Sequence, residues 1–112
     1  MDDDISFSRI GPPDVEPVEF EGRRYAQVIN GEDDHLDQRT GYLAVTELAS
    51  GQRVASIKVY AVAFDPDMEA DVQDVFFVHL ELQAADRRLL VENEHGQRFH
   101  VAIDGYAVTP AH

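Results

Sequence analysis

Cysteine is absent from this chain, and with it go disulfides, thiolate zinc sites and cysteine nucleophiles. Tryptophan is absent too. Basic residues are scarce: 9 Lys and Arg stand against 22 Asp and Glu, for a formal net charge of −13. The summed field of such a chain repels phosphate backbones and anionic headgroups, so direct nucleic-acid binding and membrane adsorption are disfavoured. Long apolar runs are missing, since nothing approaches the roughly 20 residues that cross a bilayer. The opening MDDDISFSRIGPPDVEP carries acid where a secretory signal carries base, and the expected location is the cytoplasm. Successive glycines leading into a helix are also missing, and Ser6, Ser8, Ser50 and Ser56 have no nucleophile-elbow context. The chain offers no catalytic signature and leans away from an enzyme. No cofactor is expected.

What is present is enough for a core. Of the 112 residues 44% are hydrophobic, an ordinary share for a globular domain. Residues 1–19 combine three aspartates with Pro12, Pro13 and Pro17 and read as a flexible, extended arm. Residues 20–112 form a single β domain. RRYAQVI (23–29) is a first strand. GYLAVTEL (41–48) and QRVASIKVYAVAF (52–64) make a hairpin around Ala49-Ser50-Gly51. FFVHLEL (76–82), LLVENE (89–94) and QRFHVAI (97–103) supply a second set, followed by GYAVTP. In the first of these, alternation puts Phe76, Val78, Leu80 and Leu82 on the core face and Phe77, His79 and Glu81 on the other. Between the two sets, Asp65 as N-cap, Pro66 in the first turn and acids near the start predict one short helix over 66–72, with Met68 and Val72 buried. The fold class is therefore mainly β: an antiparallel meander of five to seven strands closed into a small sandwich or partial barrel. Closure avoids an open edge, and a homodimer built on an edge strand would solve the same problem.

GQR occurs twice, at 51–53 and 96–98, each time between strand-forming runs. Gly51 and Gly96 fall where a three-residue hairpin loop needs positive φ. Loops at 49–51 and 94–96 place Glu47 opposite Arg53 and Glu92 opposite Arg98, the same cross-strand charge pair in both hairpins. A phosphate loop would continue into a helix, whereas strand formers follow here, so GQR predicts turns and no chemistry.

Two constellations bear on function. The first is acidic. NGEDDHLDQRTG (30–41) carries Glu32, Asp33, Asp34 and Asp37, and FDPDMEADVQDV (64–75) carries Asp65, Asp67, Glu69, Asp71 and Asp74 without an intervening base. Together they would make a negative surface that steers a basic protein partner. The first loop's spacing does not match an EF-hand. The second constellation is a face of the later strands, where His79, Glu81, Glu92 and His100 share a side with Leu90 and Arg98. Two histidines and a carboxylate could bind a divalent metal. Tyr42 opposite Lys58, with Tyr60 on the same face, is a third and slighter signal of an interface. The leading expectation is a non-enzymatic binding or accessory module that engages a basic protein. The alternative is a metal-binding β protein using His79 and His100.

Overall fold

A computed structural model of the protein describes residues 15–31, 35–62 and 74–111. Among these residues eight strands, where the sequence predicts five to seven, form two four-stranded antiparallel sheets, each in sequential order. The first contains β1 (Val18–Phe20), β2 (Arg23–Gln27), β3 (Tyr42–Glu47) and β4 (Arg53–Lys58). The second contains β5 (Phe77–Gln83), β6 (Arg88–Asn93), β7 (Arg98–Ala102) and β8 (Val108–Ala111), with a short 3-10 turn at Ala84–Asp86. Two meanders, each with one apolar face, bury those faces against each other as a sandwich-like β fold. The predicted helix over 66–72 lies outside the described residues.

The core joins both inner faces. Tyr25, Leu43, Val45 and Ile57 of the first sheet meet Phe77, Leu89, Val91 and Val101 of the second in one buried cluster, with Tyr60 among them. The Tyr60 ring stacks on Phe99 at 5.4 Å and tilts against Phe77 at 6.0 Å. The sequence placed Tyr60 on the face of Tyr42, but Val59 and Tyr60 both donate to the Gly41 carbonyl, at 2.8 and 3.4 Å. This breaks the alternation after β4, so Val59 and Tyr60 both enter the main core while Tyr42 packs in a small outer cluster with Val28 and Ala44. Tyr42 does stand opposite Lys58.

Alternation also fails at the start of β5. The pairing steps from Phe77 opposite Asn93 to His79 opposite Glu92, leaving Val78 as a bulge residue. Phe77 therefore turns into the core at 1% exposure and Val78 turns out at 42%, the reverse of the expected assignment. Beyond the bulge the alternation resumes, and Leu80 and Leu82 pack on the core.

The two GQR hairpins differ. In the second, Asn93 N–H donates to Gln97 O and Gly96 N–H to Asn93 O, closing the expected loop of Glu94, His95 and Gly96. Glu92 then faces Arg98. In the first, Glu47 N–H donates to Gln52 O, so the loop runs from Leu48 to Gly51. Thr46 faces Arg53 and Val45 faces Ala55, with Val54 bulged out. The expected Glu47–Arg53 pair does not form: Glu47 accepts from Ser50 Oγ at 2.7 Å and Arg53 donates to Ser56 Oγ at 2.9 Å. Both glycines have the expected positive φ, +74° and +77°.

One turn was not anticipated. Val18 and Glu19, assigned to the arm, join Phe20 as β1, and the two-residue link to β2 puts Glu21 at φ 51° and Gly22 at φ 79°. Positive φ at both positions is the turn that follows the natural twist of a hairpin. Glutamate pays about 1–2 kcal/mol of backbone strain there. Its side chain offsets this by joining a clasp between the sheets. Arg87 donates to both Glu21 oxygens at 2.7 and 2.9 Å and to both Asp104 oxygens at 3.1 and 2.8 Å, with its guanidinium 5.8 Å from the Phe20 ring centre. Arg87 itself has φ 49°. Held by this guanidinium, the carboxyls of Glu21 and Asp104 lie below their ordinary range, and Arg87 is pushed up.

Candidate functional site

At the end of the sandwich away from that clasp, the loop before β3 acts as a strip to which distant parts of the chain are tied. Gly31 N–H donates to Arg39 O at 2.6 Å, and Leu36 N–H returns to Gly31 O at 2.9 Å. The Gly31 backbone lies so close to the Gln38 carbonyl that a β-carbon would overlap it. Gln38 Nε2 donates to the Thr40 and Tyr60 carbonyls at 2.6 and 2.8 Å, while its Oε1 accepts Val62 N–H at 3.2 Å. Arg39 holds Asp74 with two parallel bonds, Nε to Oδ1 at 3.0 Å and Nη2 to Oδ2 at 3.1 Å. Thr40, 1% exposed, accepts Val75 N–H at 3.1 Å through its hydroxyl, and Tyr60 O–H donates to Val75 O at 2.6 Å. Burial pushes the Tyr60 phenol well above its ordinary value.

Three consecutive residues thus fix the described ends of both acidic stretches, Gly31 through the Arg39 carbonyl and the second stretch through the three side chains. Gly31 leads into Glu32-Asp33-Asp34, and Val62 and Asp74 flank the stretch that contains Asp65, Asp67, Glu69 and Asp71. Those seven candidates lie outside the described residues. The other two are described, and neither is a free surface acid. Asp74 is 6% exposed at its side chain and closed by Arg39. Asp37 accepts from Lys58 Nζ at 2.8 Å and from Tyr42 O–H at 2.6 Å. Lys58 first, then Tyr42, holds the Asp37 carboxyl below its usual range, and the same bond to Asp37, reinforced by burial, pushes Tyr42 up to about 12. Lys58 and Tyr42, an interface signal in the sequence, are both bonded to Asp37 in the structure.

The histidine face is assembled as expected but spread out. His79 stands opposite Glu92, and His100 opposite Leu90, which is itself opposite Glu81. The two histidines lie one strand apart on either side of β6 and two residues out of step, about 12 Å between α-carbons from strand spacing and rise. His79 Nε2 is 3.0 Å from Glu81 Oε1, which holds the Glu81 carboxyl below its ordinary range. Among the described residues no three His, Cys, Asp or Glu side chains are grouped to hold a metal ion. Glu92 instead has Arg98 on its other side.

Gln38, Arg39 and Thr40 belong to no motif in the sequence. A signal is present: Arg39 is the only Lys or Arg in the acidic loop 30–41, and a fixed cation there suggests a partner carboxylate elsewhere. No helix of the described residues is long and apolar enough to cross a membrane. No protein-family model matches the chain, and comparison with the curated proteins and with the solved structures gives no match.

Proposed function

We propose that this protein is a non-enzymatic cytoplasmic binding module that engages a basic protein partner through the end of the sandwich where its two acidic stretches are rooted. The observation that carries this reading is the common anchorage on Gln38, Arg39 and Thr40. The two stretches are about thirty residues apart in sequence, yet Gly31, Val62, Asp74 and Val75 all bond to one strip. None of the seven carboxylates between these anchors is more than five residues from a fixed position, a reach of at most roughly 18 Å. Asp37 and Asp74 serve this arrangement as structural acids whose charges Lys58 and Arg39 offset. The remaining carboxylates have no base between them in either stretch, and such a one-signed end raises association rate and selects against acidic partners.

The test is capture of partners by the full chain across a salt series. Screening shortens from about 10 Å at 0.1 M to about 3 Å at 1 M ionic strength, so partners held by this end are released as salt rises. Neutralising Glu32, Asp33 and Asp34 to amides, or Asp65, Asp67, Glu69 and Asp71 to amides, is expected to weaken capture in either case, and both together to abolish it. Capture that is indifferent to salt, or that survives the combined variant, overturns the reading.

A further inference from the structure

Two dipeptides in this chain can rearrange by their own chemistry, Asn30-Gly31 and Asp104-Gly105. In each, glycine sets no β-carbon beside its own amide, so the backbone nitrogen can close on the preceding side-chain carbonyl carbon and form a five-membered imide. By sequence Asn30 is the more reactive, because an ionised carboxylate resists such attack and an amide does not. The fold reverses that order. Gly31 is buried, its N–H donates to Arg39 O at 2.6 Å, and the Gln38 carbonyl crowds its α-carbon. A nitrogen committed to that bond, on backbone with no room to turn, is kept from the Asn30 side chain.

Asp104 and Gly105 stand in the opposite condition. Ala102 N–H donates to Ala107 O at 2.9 Å, closing a loop of Ile103, Asp104, Gly105 and Tyr106 between β7 and β8. The Asp104 side chain is 74% exposed, and Gly105, at φ 82°, has open space where a β-carbon would stand. Among the described residues the Gly105 N–H makes no hydrogen bond. Tyr106 follows at φ 62°, a left-handed strain that a longer backbone link would relax. An unbonded nucleophile, an exposed carboxyl and a strained tight loop thus coincide at one dipeptide.

We propose that Asp104-Gly105 is a site of spontaneous isoaspartate formation and that Arg87 sets its rate. The Gly105 nitrogen attacks Asp104 Cγ; a C–N bond forms, and the amide proton leaves with the carboxyl hydroxyl as water. Water then adds to one of the two imide carbonyls and breaks its C–N bond. Opening at Cγ restores aspartate. Opening at the original peptide carbon leaves the chain linked through Cγ and the former peptide carbonyl as a free carboxylate, with no net change of mass. The first step needs the carboxyl protonated, because hydroxyl is then the leaving group. Arg87 opposes this: its Nε donates to Oδ2 at 2.8 Å and its Nη2 to Oδ1 at 3.1 Å, which holds both oxygens in the ionised form and the carboxyl below its ordinary range. The clasp is a brake on the reaction, and the reaction dismantles the clasp. Isomerisation lengthens the backbone by a methylene and draws the free carboxylate one carbon closer to the chain, away from the guanidinium, so that Arg87 keeps Glu21 alone.

The test is prolonged incubation of the full folded chain at neutral and mildly acidic pH, followed by peptide mapping with electron-transfer fragmentation, which tells the two linkages apart. Isoaspartate is expected at position 104 with Asn30 intact, accumulating faster as pH falls. In urea, where Gly31 is released from Arg39, Asn30 should convert first. Arg87→Met should speed conversion at 104 several-fold at neutral pH. Arg87→Lys, which keeps a cation but cannot hold both oxygens as a guanidinium does, should give an intermediate rate. The isomerised chain, separated by chromatography, should exchange the Ile103 amide faster, since that N–H is held by Arg87 O at 2.9 Å. The proposal is overturned if position 104 gains no more isoaspartate than the chain's other aspartates, or if Asn30 converts ahead of it in the folded chain. Equal rates at 104 in the parent and both Arg87 variants also overturn it.

Discussion

The Arg39–Asp74 pair gives the sharpest quantitative expectation, because its two partners differ in burial. The Asp74 side chain is 6% exposed and the Arg39 side chain 25%. Truncating one member of a buried pair costs about 3–5 kcal/mol, most of it from the charge left behind without a partner. Arg39→Ala leaves the deeply buried carboxylate behind and should fall in that range. Asp74→Ala leaves a guanidinium that can reach water by a small rotation, and about 2 kcal/mol is expected, near the cost of lost charge-assisted hydrogen bonds. Urea unfolding of the two variants and the double variant measures this directly; midpoints should shift with little change in slope. At roughly 4 °C per kcal/mol for a domain of this size, Arg39→Ala should melt about 12 °C or more below the parent. The Val75 amide, bonded to Thr40 Oγ1 beside the pair, should exchange faster with solvent in both variants. If Asp74→Ala proves the costlier change, or if both cost under about 1 kcal/mol as exposed pairs do, the pair does not lock the strip.

Three further expectations follow from other parts of the fold. Arg87 depresses the Glu21 and Asp104 carboxyls, so its stabilisation is complete above their unfolded values near about 4 and is lost as pH falls through the lower folded ones. In Arg87→Met, carboxyl titration by NMR should return both groups toward ordinary values and the acid limb of the stability profile should flatten; unchanged titration refutes the clasp. Tyr42 and Tyr60 titrate late in the folded state, so stability holds below about 10 and declines as pH rises beyond it, in the case of Tyr42 until about 12. Phenolate absorbance should show their delayed ionisation collapsing together with base unfolding, and early ionisation of Tyr60 in a folded chain would contradict its packing. Gly31→Ala should destabilise by about 2–3 kcal/mol through overlap with the Gln38 carbonyl. Gly51→Ala, with open space around it, should cost only the left-handed strain of about 1 kcal/mol; equal losses in urea unfolding would refute the close approach at Gly31.

The mainly β class was legible in β-branched and aromatic runs separated by turn residues, and so were Leu89, Val91, Phe99 and Val101 as the inward side of β6 and β7, with Ile103 just beyond β7. The second hairpin was legible down to its register. The first was not, and the reason lies in one residue. Asn93 Oδ1 accepts the His95 and Gln97 amides at 3.0 and 3.1 Å and closes a three-residue loop. The equivalent residue, Leu48, has no such acceptor, and the loop takes four residues with Ser50 Oγ receiving Gln52 N–H at 3.2 Å. The amide of one asparagine thus separates two hairpins that share GQR. The reversal of Phe77 and Val78 escaped a period-2 reading because a single bulge inverts every assignment before it.

The candidate residues divide along the same line. Local chemistry fixed which segments are strands, where Gly51 and Gly96 must bend, and that acid accumulates in two stretches without a base; these depend on neighbours a few residues away. Pairing across the fold decided the rest. Asp74 became a structural acid because Arg39, 35 residues earlier, was brought to it, and Asp37 because Tyr42 and Lys58 were paired across β3 and β4. Charge along the chain is additive and can be read in order, whereas the partner of each charge depends on which distant backbone the closed sandwich sets beside it.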